Sequence, residues 1–128
     1  MTRAIADTSV FVAQESGRAL GELPDELAVS VVTAAELELG VLRARDDGSR
    51  ARRLATLIRV RETFSLLPVD DAVASRFAQL AAREIGAGRK PRRHDTWIAA
   101  TALRHGVSVV TQDREFSEYG PEVAVLWV

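Results

Sequence analysis

Apolar residues along the chain fall into short unbroken runs separated by longer stretches with helical spacing. The runs AIA (4–6), AVSVV (28–32), LLPV (66–69), VSVV (107–110) and VAVLWV (123–128) predict strands. Several lack polar alternation, as strands covered on both faces do. Helices are predicted over 34–45, opening after Thr33, and over 50–64, with Leu54, Leu57 and Ile58 on one face. A third covers 71–85, where Val73, Phe77, Leu80, Ala81 and Ile85 recur at three- and four-residue steps. A fourth, over 95–105, packs Ile98, Ala99 and Ala102 on one side and stops at Gly106, a common helix terminator. Strands alternating with helices predict an α/β/α sandwich around a central parallel sheet of about five strands.

Length and composition narrow this only a little. A chain of 128 residues suits one domain, 1–128, able to bury roughly two thirds of its unfolded surface. With no cysteine, disulfides and thiolate metal sites are excluded. No apolar run approaches the roughly 20 residues that span a bilayer, and the N-terminus lacks a basic region followed by a long apolar segment. The expected location is the cytoplasm, and no membrane partner is expected. The net charge of -1 decides nothing about nucleic acid. Of the basic side chains only Lys90 is a lysine. Arginine suits bidentate phosphate contacts, although a GC-rich genome produces the same bias with no functional reason.

The chemistry sits at element ends. In open α/β sheets ligands collect at the carboxyl ends of the strands, and acidic residues stand there. Asp7 comes after the first strand, within RAIADTSVFV. Glu36 lies in the first turn of the next helix, within VVTAAELELG, and Asp113 comes after VSVV within TQDREF. Asp95 opens the helix HDTWIAATALRHG. Because that helix leads directly into VSVV, the simplest expectation puts Asp95 at the opposite sheet edge from Asp113. Each acid also has an ordinary explanation. Asp7 could cap a helix that starts just after it, and Thr33-Ala34-Ala35-Glu36 reads as a capping box. Asp95 could serve a helix N-terminus, and Asp113 a turn. Four separate caps, however, imply no common destination. Carboxylates brought together repel by roughly 4 kcal/mol per pair at 4 Å and an effective dielectric of about 20. Such a group holds extra protons or binds a cation. Oxygen ligands favour Mg²⁺ or Mn²⁺ over zinc.

The stretches IADTSVF, TAAELELGVLRA, HDTWIAATALRHG and VVTQDREF, taken in that order and spacing, resemble PIN-domain ribonucleases, and more narrowly VapC-type toxins of VapBC toxin–antitoxin pairs. The resemblance covers nearly the whole chain. It implies a Mg²⁺-dependent endoribonuclease, with Mn²⁺ able to substitute, and a catalytic quartet of Asp7, Glu36, Asp95 and Asp113. Asp7, Asp95 and Asp113 would ligate metal, and Glu36 would bind it or orient the attacking water. Ser9 and Thr111 match hydroxyl positions that orient ligands or water. The resemblance also implies that the first turn of the Asp95 helix points into the acidic pocket. Products would carry 5′-phosphate and 3′-hydroxyl ends, and the partners would be RNA, a cognate antitoxin and a second copy of the chain. The charged KPRRH before Asp95 departs from many relatives.

Other features rank lower. Arg92 and Arg93, with Arg89 and Lys90 on the same loop, are candidates to grip RNA phosphates, though a solvated basic loop looks the same. Arg50, Arg52, Arg53, Arg59 and Arg61 mark another basic face. Gly86–Lys90 comes after a helix and has neither phosphate-loop nor dinucleotide spacing. Glu38 points away from Glu36, His94 and His105 read as surface or capping groups, and Trp97 reads as packing. A phospho-receiver module would need a lysine after a late strand, and Lys90 is misplaced. A dehalogenase-type phosphatase would want aspartate where Ser9 stands. The remaining rival is a catalytically inactive PIN-like module that binds RNA or a partner.

Overall fold

A computed structural model of the protein describes residues 3–128. Five strands, β1 (Arg3–Ala6), β2 (Glu26–Ser30), β3 (Leu66–Leu67), β4 (Ser108–Thr111) and β5 (Val125–Trp127), alternate with five helices. The helices are α1 (Thr8–Ser16), α2 (Val31–Leu42), α3 (Asp47–Thr63), α4 (Asp71–Gly86) and α5 (Arg93–His105). A short 3-10 segment, Arg114–Tyr119, comes after β4. All strand pairings are parallel, in the order β3-β2-β1-β4-β5. The predicted α/β/α sandwich is the observed architecture.

The sheet explains the missing polar alternation. Ile5 pairs with Ala28 on one side and Val109 on the other. Ile5 and Val109 pack with Val73, Leu80, Ile98 and Phe116 on one face. Ala4, Ala6 and Val110 pack with Phe11, Val29, Leu57 and Val60 on the opposite face. Both sides of each central strand are therefore apolar. Chain order reverses between β1 and β4, which makes their carboxyl ends the switch point of the sheet.

Several boundaries differ from the periodicity. The second strand ends at Ser30, whose buried hydroxyl caps α2 by accepting from Val32 N at 3.0 Å. Val31 and Val32 are helical and Thr33 is not a cap, so the capping box does not form. In α3 Leu57 is buried, but Leu54 and Ile58 are 42% and 45% exposed; the buried line runs through Thr56, Leu57 and Val60. In α4 the buried line is Val73, Leu80 and Glu84. Ile85, one residue and about 100° further round, is left 64% exposed. Glu84 is tolerated because Arg89 forks onto it at 2.8 and 3.0 Å. Helix α1 escaped prediction because its apolar residues, Val10–Ala13, are consecutive and mark no face at three- and four-residue steps; Val10, Phe11 and Ala13 are buried but Val12 is exposed. Gly106 ends α5 at φ 64°, the left-handed conformation expected of it.

Candidate active site

The site forms where β1 and β4 end. Asp7 continues β1 by donating its backbone N–H to Val110 O at 2.8 Å, and then turns the chain into α1. Its side chain accepts from Ser9 N at 3.4 Å, so it does cap the helix. That duty occupies one weak contact of a carboxylate that is only 3% exposed. The second oxygen partner is Thr111, whose hydroxyl donates to Asp7 Oδ2 at 2.9 Å and accepts from Asp113 N at 2.9 Å. With that hydrogen committed, Ser9 Oγ must be the donor in its 3.1 Å contact with Thr111 Oγ1. Ser9 Oγ accepts in turn from Gln112 N at 3.0 Å. One hydroxyl chain thus ties the end of β1 to the turn after β4, and with it Asp7 to Asp113.

Glu36 reaches the same region from the second turn of α2. Thr8 Oγ1 donates to Glu36 Oε1 at 2.9 Å and also meets Thr33 Oγ1 at 3.0 Å. His94 Nδ1 lies 3.4 Å from Glu36 Oε2, so His94 borders the site instead of standing apart as a plain surface group. Neither contact was visible in the sequence, because Thr8, Glu36 and His94 come from three separate helices.

Asp95 lies in the first turn of α5. The expectation that it starts at the far edge fails for a geometric reason. A helix between parallel strands runs back down the sheet before the next strand climbs, so its N-terminus stands at the carboxyl edge. Thirteen residues at 1.5 Å each cover about 20 Å, enough for the full return. Oxygens of Asp95, Asp113 and Glu115 lie within 4.8 Å of one another, the one such trio among the described residues. Glu115 is a member that sequence reasoning missed. The only signal was its place two residues after Asp113, and it owes its position to Asp113 Oδ1 accepting from its backbone N–H at 2.9 Å.

The electrostatics reflect crowding. Burial pushes the Asp7 carboxyl above its ordinary range, and hydrogen bonds from Ser9 and Thr111 offset this only partly. Burial likewise raises Glu36, against the Thr8 hydrogen bond and the His94 contact. Asp95 is pushed up to about 7, first by burial, then by the Asp7 charge, with Arg92 opposing and Asp113 and Glu36 adding. A rise from 3.8 to about 7 is worth roughly 4 kcal/mol against the charged form. A helix N-terminus favours a carboxylate by only about 0.3–1 kcal/mol, so capping does not account for Asp95.

The basic loop divides in two. Arg92 folds inward, its Nη1 3.2 Å from Asp95 Oδ2, 3.8 Å from Asp113 Oδ2 and 2.7 Å from Glu115 Oε2. Arg93 is exposed and makes no ion pair among the described residues. The other basic face is partly spent on structure: Arg53 donates to Gly40 O at 2.7 Å and Arg61 pairs with Glu38 at 3.3 Å. Trp97 packs, stacked on Phe77 with ring centroids 3.9 Å apart.

The groups gathered here that could hold an ion are carboxylate oxygens, crowded around the single Arg92 guanidinium, a donor set that fits a hard divalent cation. The PIN domain family matches residues 4–121 of the chain. Ribonuclease VapC5 of Mycobacterium tuberculosis (strain ATCC 25618 / H37Rv) is 48% identical over 115 residues, covering 88% of this chain and 84% of the relative. Ribonuclease VapC4 of the same strain is 40% identical over 131 residues, covering 98% and 97%. In three dimensions the chain resembles the crystal structure of VapBC-5 from Mycobacterium tuberculosis, a member of the VapBC family of toxin–antitoxin systems. The TM-score is 0.87 at 41% identity, covering 100% of this chain and 98% of the other. The chain belongs to the PIN domain family, in its VapC ribonuclease branch.

Proposed function

We propose that the protein is the endoribonuclease toxin of a toxin–antitoxin pair, hydrolysing RNA with the aid of Mg²⁺, which Mn²⁺ can replace. One observation supports this reading best: oxygens of Asp95 and Asp113 gather with Glu115 within 4.8 Å of one another, and burial, followed by the charge of nearby Asp7, pushes the Asp95 carboxyl up to about 7, in a chain of the PIN domain family. Asp7, Asp95 and Asp113 would hold the ion, and Glu36 would hold it or orient the attacking water. When bound, such an ion lowers the pKa of its water and offsets charge developing on the phosphate. The chain supplies the rest. The Ser9–Thr111 hydroxyl chain fixes Asp7 Oδ2, and Thr8 fixes Glu36 Oε1. Burial raises the proton affinity of Glu36, which suits an oxygen that takes a proton from water. Arg93, exposed beside the cluster, binds an RNA phosphate.

The same reading gives the protein a cognate antitoxin partner, a homodimeric state, a single nuclease domain spanning 1–128 and a cytoplasmic location. The resemblance to a VapBC toxin–antitoxin structure supports the partner. Among the described residues no helix is long and apolar enough to cross a membrane.

Purified protein incubated with total cellular RNA and Mg²⁺ or Mn²⁺ is expected to yield discrete fragments with 5′-phosphate ends. EDTA should abolish them. Asp95→Asn should lower the rate at least about 100-fold, since groups that merely orient metal ligands are already worth about 10–100-fold. Uncut RNA in the presence of metal-bound protein would replace this reading with a non-cleaving binding module. Cleavage that survives EDTA would remove the metal.

A further inference from the structure

Arg92 occupies the centre of the acidic cluster. Its Nη1 alone approaches Asp95, Asp113 and Glu115 at 3.2, 3.8 and 2.7 Å, and these are the three carboxylates whose oxygens gather within 4.8 Å. At 3.8 Å the Asp113 contact is beyond hydrogen-bond reach and is charge attraction alone. The placement is fixed from behind. Nη2 donates to the Glu115 carbonyl at 2.8 Å. The guanidinium also lies 5.3 Å from the centroid of the Tyr119 ring, whose hydroxyl is bound to Thr96 at 2.9 Å. Its side chain is only 25% exposed. A guanidinium has no acceptor and stays charged at any working pH, so it cannot ligate a cation and repels one.

We propose that Arg92 is a built-in counter-cation of the cluster, one that a divalent ion must displace from Asp95 and Asp113 in order to bind. The metal-free protein is thereby held together without the ion, and the site is tuned to a weaker metal affinity than its carboxylates alone would give. The inference rests on the reading of this cluster as a divalent-cation site.

The test is calorimetric titration of Mn²⁺ into wild type, Arg92→Gln, Arg92→Lys and Asp95→Asn in the absence of RNA, paired with melting curves in EDTA and in Mn²⁺. Arg92→Gln should bind Mn²⁺ at least about tenfold more tightly than wild type, because one positive charge has left the cradle. In EDTA it should melt below wild type, and Mn²⁺ should raise its melting temperature more than that of wild type. A merely structural arginine would lower both melting curves alike. Arg92→Lys keeps a cation without the fork and should fall between the two in affinity; it carries the comparison if the glutamine variant does not fold. Equal Mn²⁺ affinity in wild type and the Arg92 variants, with binding lost in Asp95→Asn, overturns the exchange while leaving the cation site standing. Absence of binding in wild type and variants alike overturns the cation site itself, and the exchange with it.

Discussion

At the scale of single residues, the site is a set of carboxylates held where their charge is costly. Folding favours the protonated form of Asp95, because its carboxyl is pushed up to about 7 in the folded chain. Its contribution to stability is therefore greatest below the ordinary carboxylate range, near pH 4. That contribution is lost as pH rises to about 7. In metal-free buffer Asp95→Asn should melt above wild type, by an amount that grows from about pH 4 to 7 and then levels. The limiting gain is roughly 1–3 kcal/mol, a discount on the full shift for partial solvent access. A variant that melts below wild type across that window would refute the crowding. The same titration predicts that Mn²⁺ affinity increases with pH up to about 7 and that binding releases protons, which calorimetry in buffers of different ionisation enthalpy would detect.

The residue scale is also where sequence reading succeeded and failed most sharply. Asp7, Glu36, Asp95 and Asp113 were visible as acids at element ends, whereas Ser9 and Thr111 stood out only through the family resemblance. Glu115 was not, since its alignment with Asp95 depends on a 3-10 turn that no hydrophobic period announces. Arg92 read as a loop cation because nothing in KPRRH says which arginine folds inward. Thr8 and His94 were opaque for a related reason: each matters through a partner brought near only by tertiary packing.

At the scale of elements, the strands were legible because two-sided burial writes itself as unbroken apolar runs. Helix ends were less so. AVSVV looked like one strand, yet the chain becomes helical at Val31 once Ser30 caps it. That cap sets the phase of α2 and hence the direction of Glu36, in the helix's second turn. Ser30→Ala is expected to cost about 1 kcal/mol of stability, measurable by chemical denaturation, whereas a loss near zero would mean that the cap is idle. The register of α4 failed prediction because Ile85 is apolar and Glu84 is not, while the buried line takes Glu84 with its Arg89 partner. Periodicity cannot foresee a polar residue satisfied by an arginine just beyond the helix end. The direction of α5 needed only the rule that crossover helices descend, and that rule places Asp95 beside Asp113.

At the scale of the molecule, a net charge of -1 does not say where RNA is held, so the contact is sought at particular residues. Arg93 is exposed beside an acidic pocket, while Arg92 is engaged within it. Arg93→Ala should weaken RNA binding about equally across sequences and reduce the slope of log affinity against log salt by about 1. An unchanged slope would assign the phosphate contact to another residue. The fold itself supports this division of labour: a rigid parallel sheet buried on both faces brings four chain segments to one edge, and their charged ends meet there.

The central claim is that Asp7, Asp95 and Asp113 converge to hold one kind of ligand, a hard divalent cation. The most direct measurement is anomalous diffraction from crystals of the protein grown with Mn²⁺. An anomalous peak is expected within about 2.0–2.6 Å of carboxylate oxygens from Asp95 and Asp113, with Asp7 directly or through water behind it, and Arg92 moved off Asp95. No peak at saturating Mn²⁺, or a peak that persists at this place in Asp95→Asn, would contradict it.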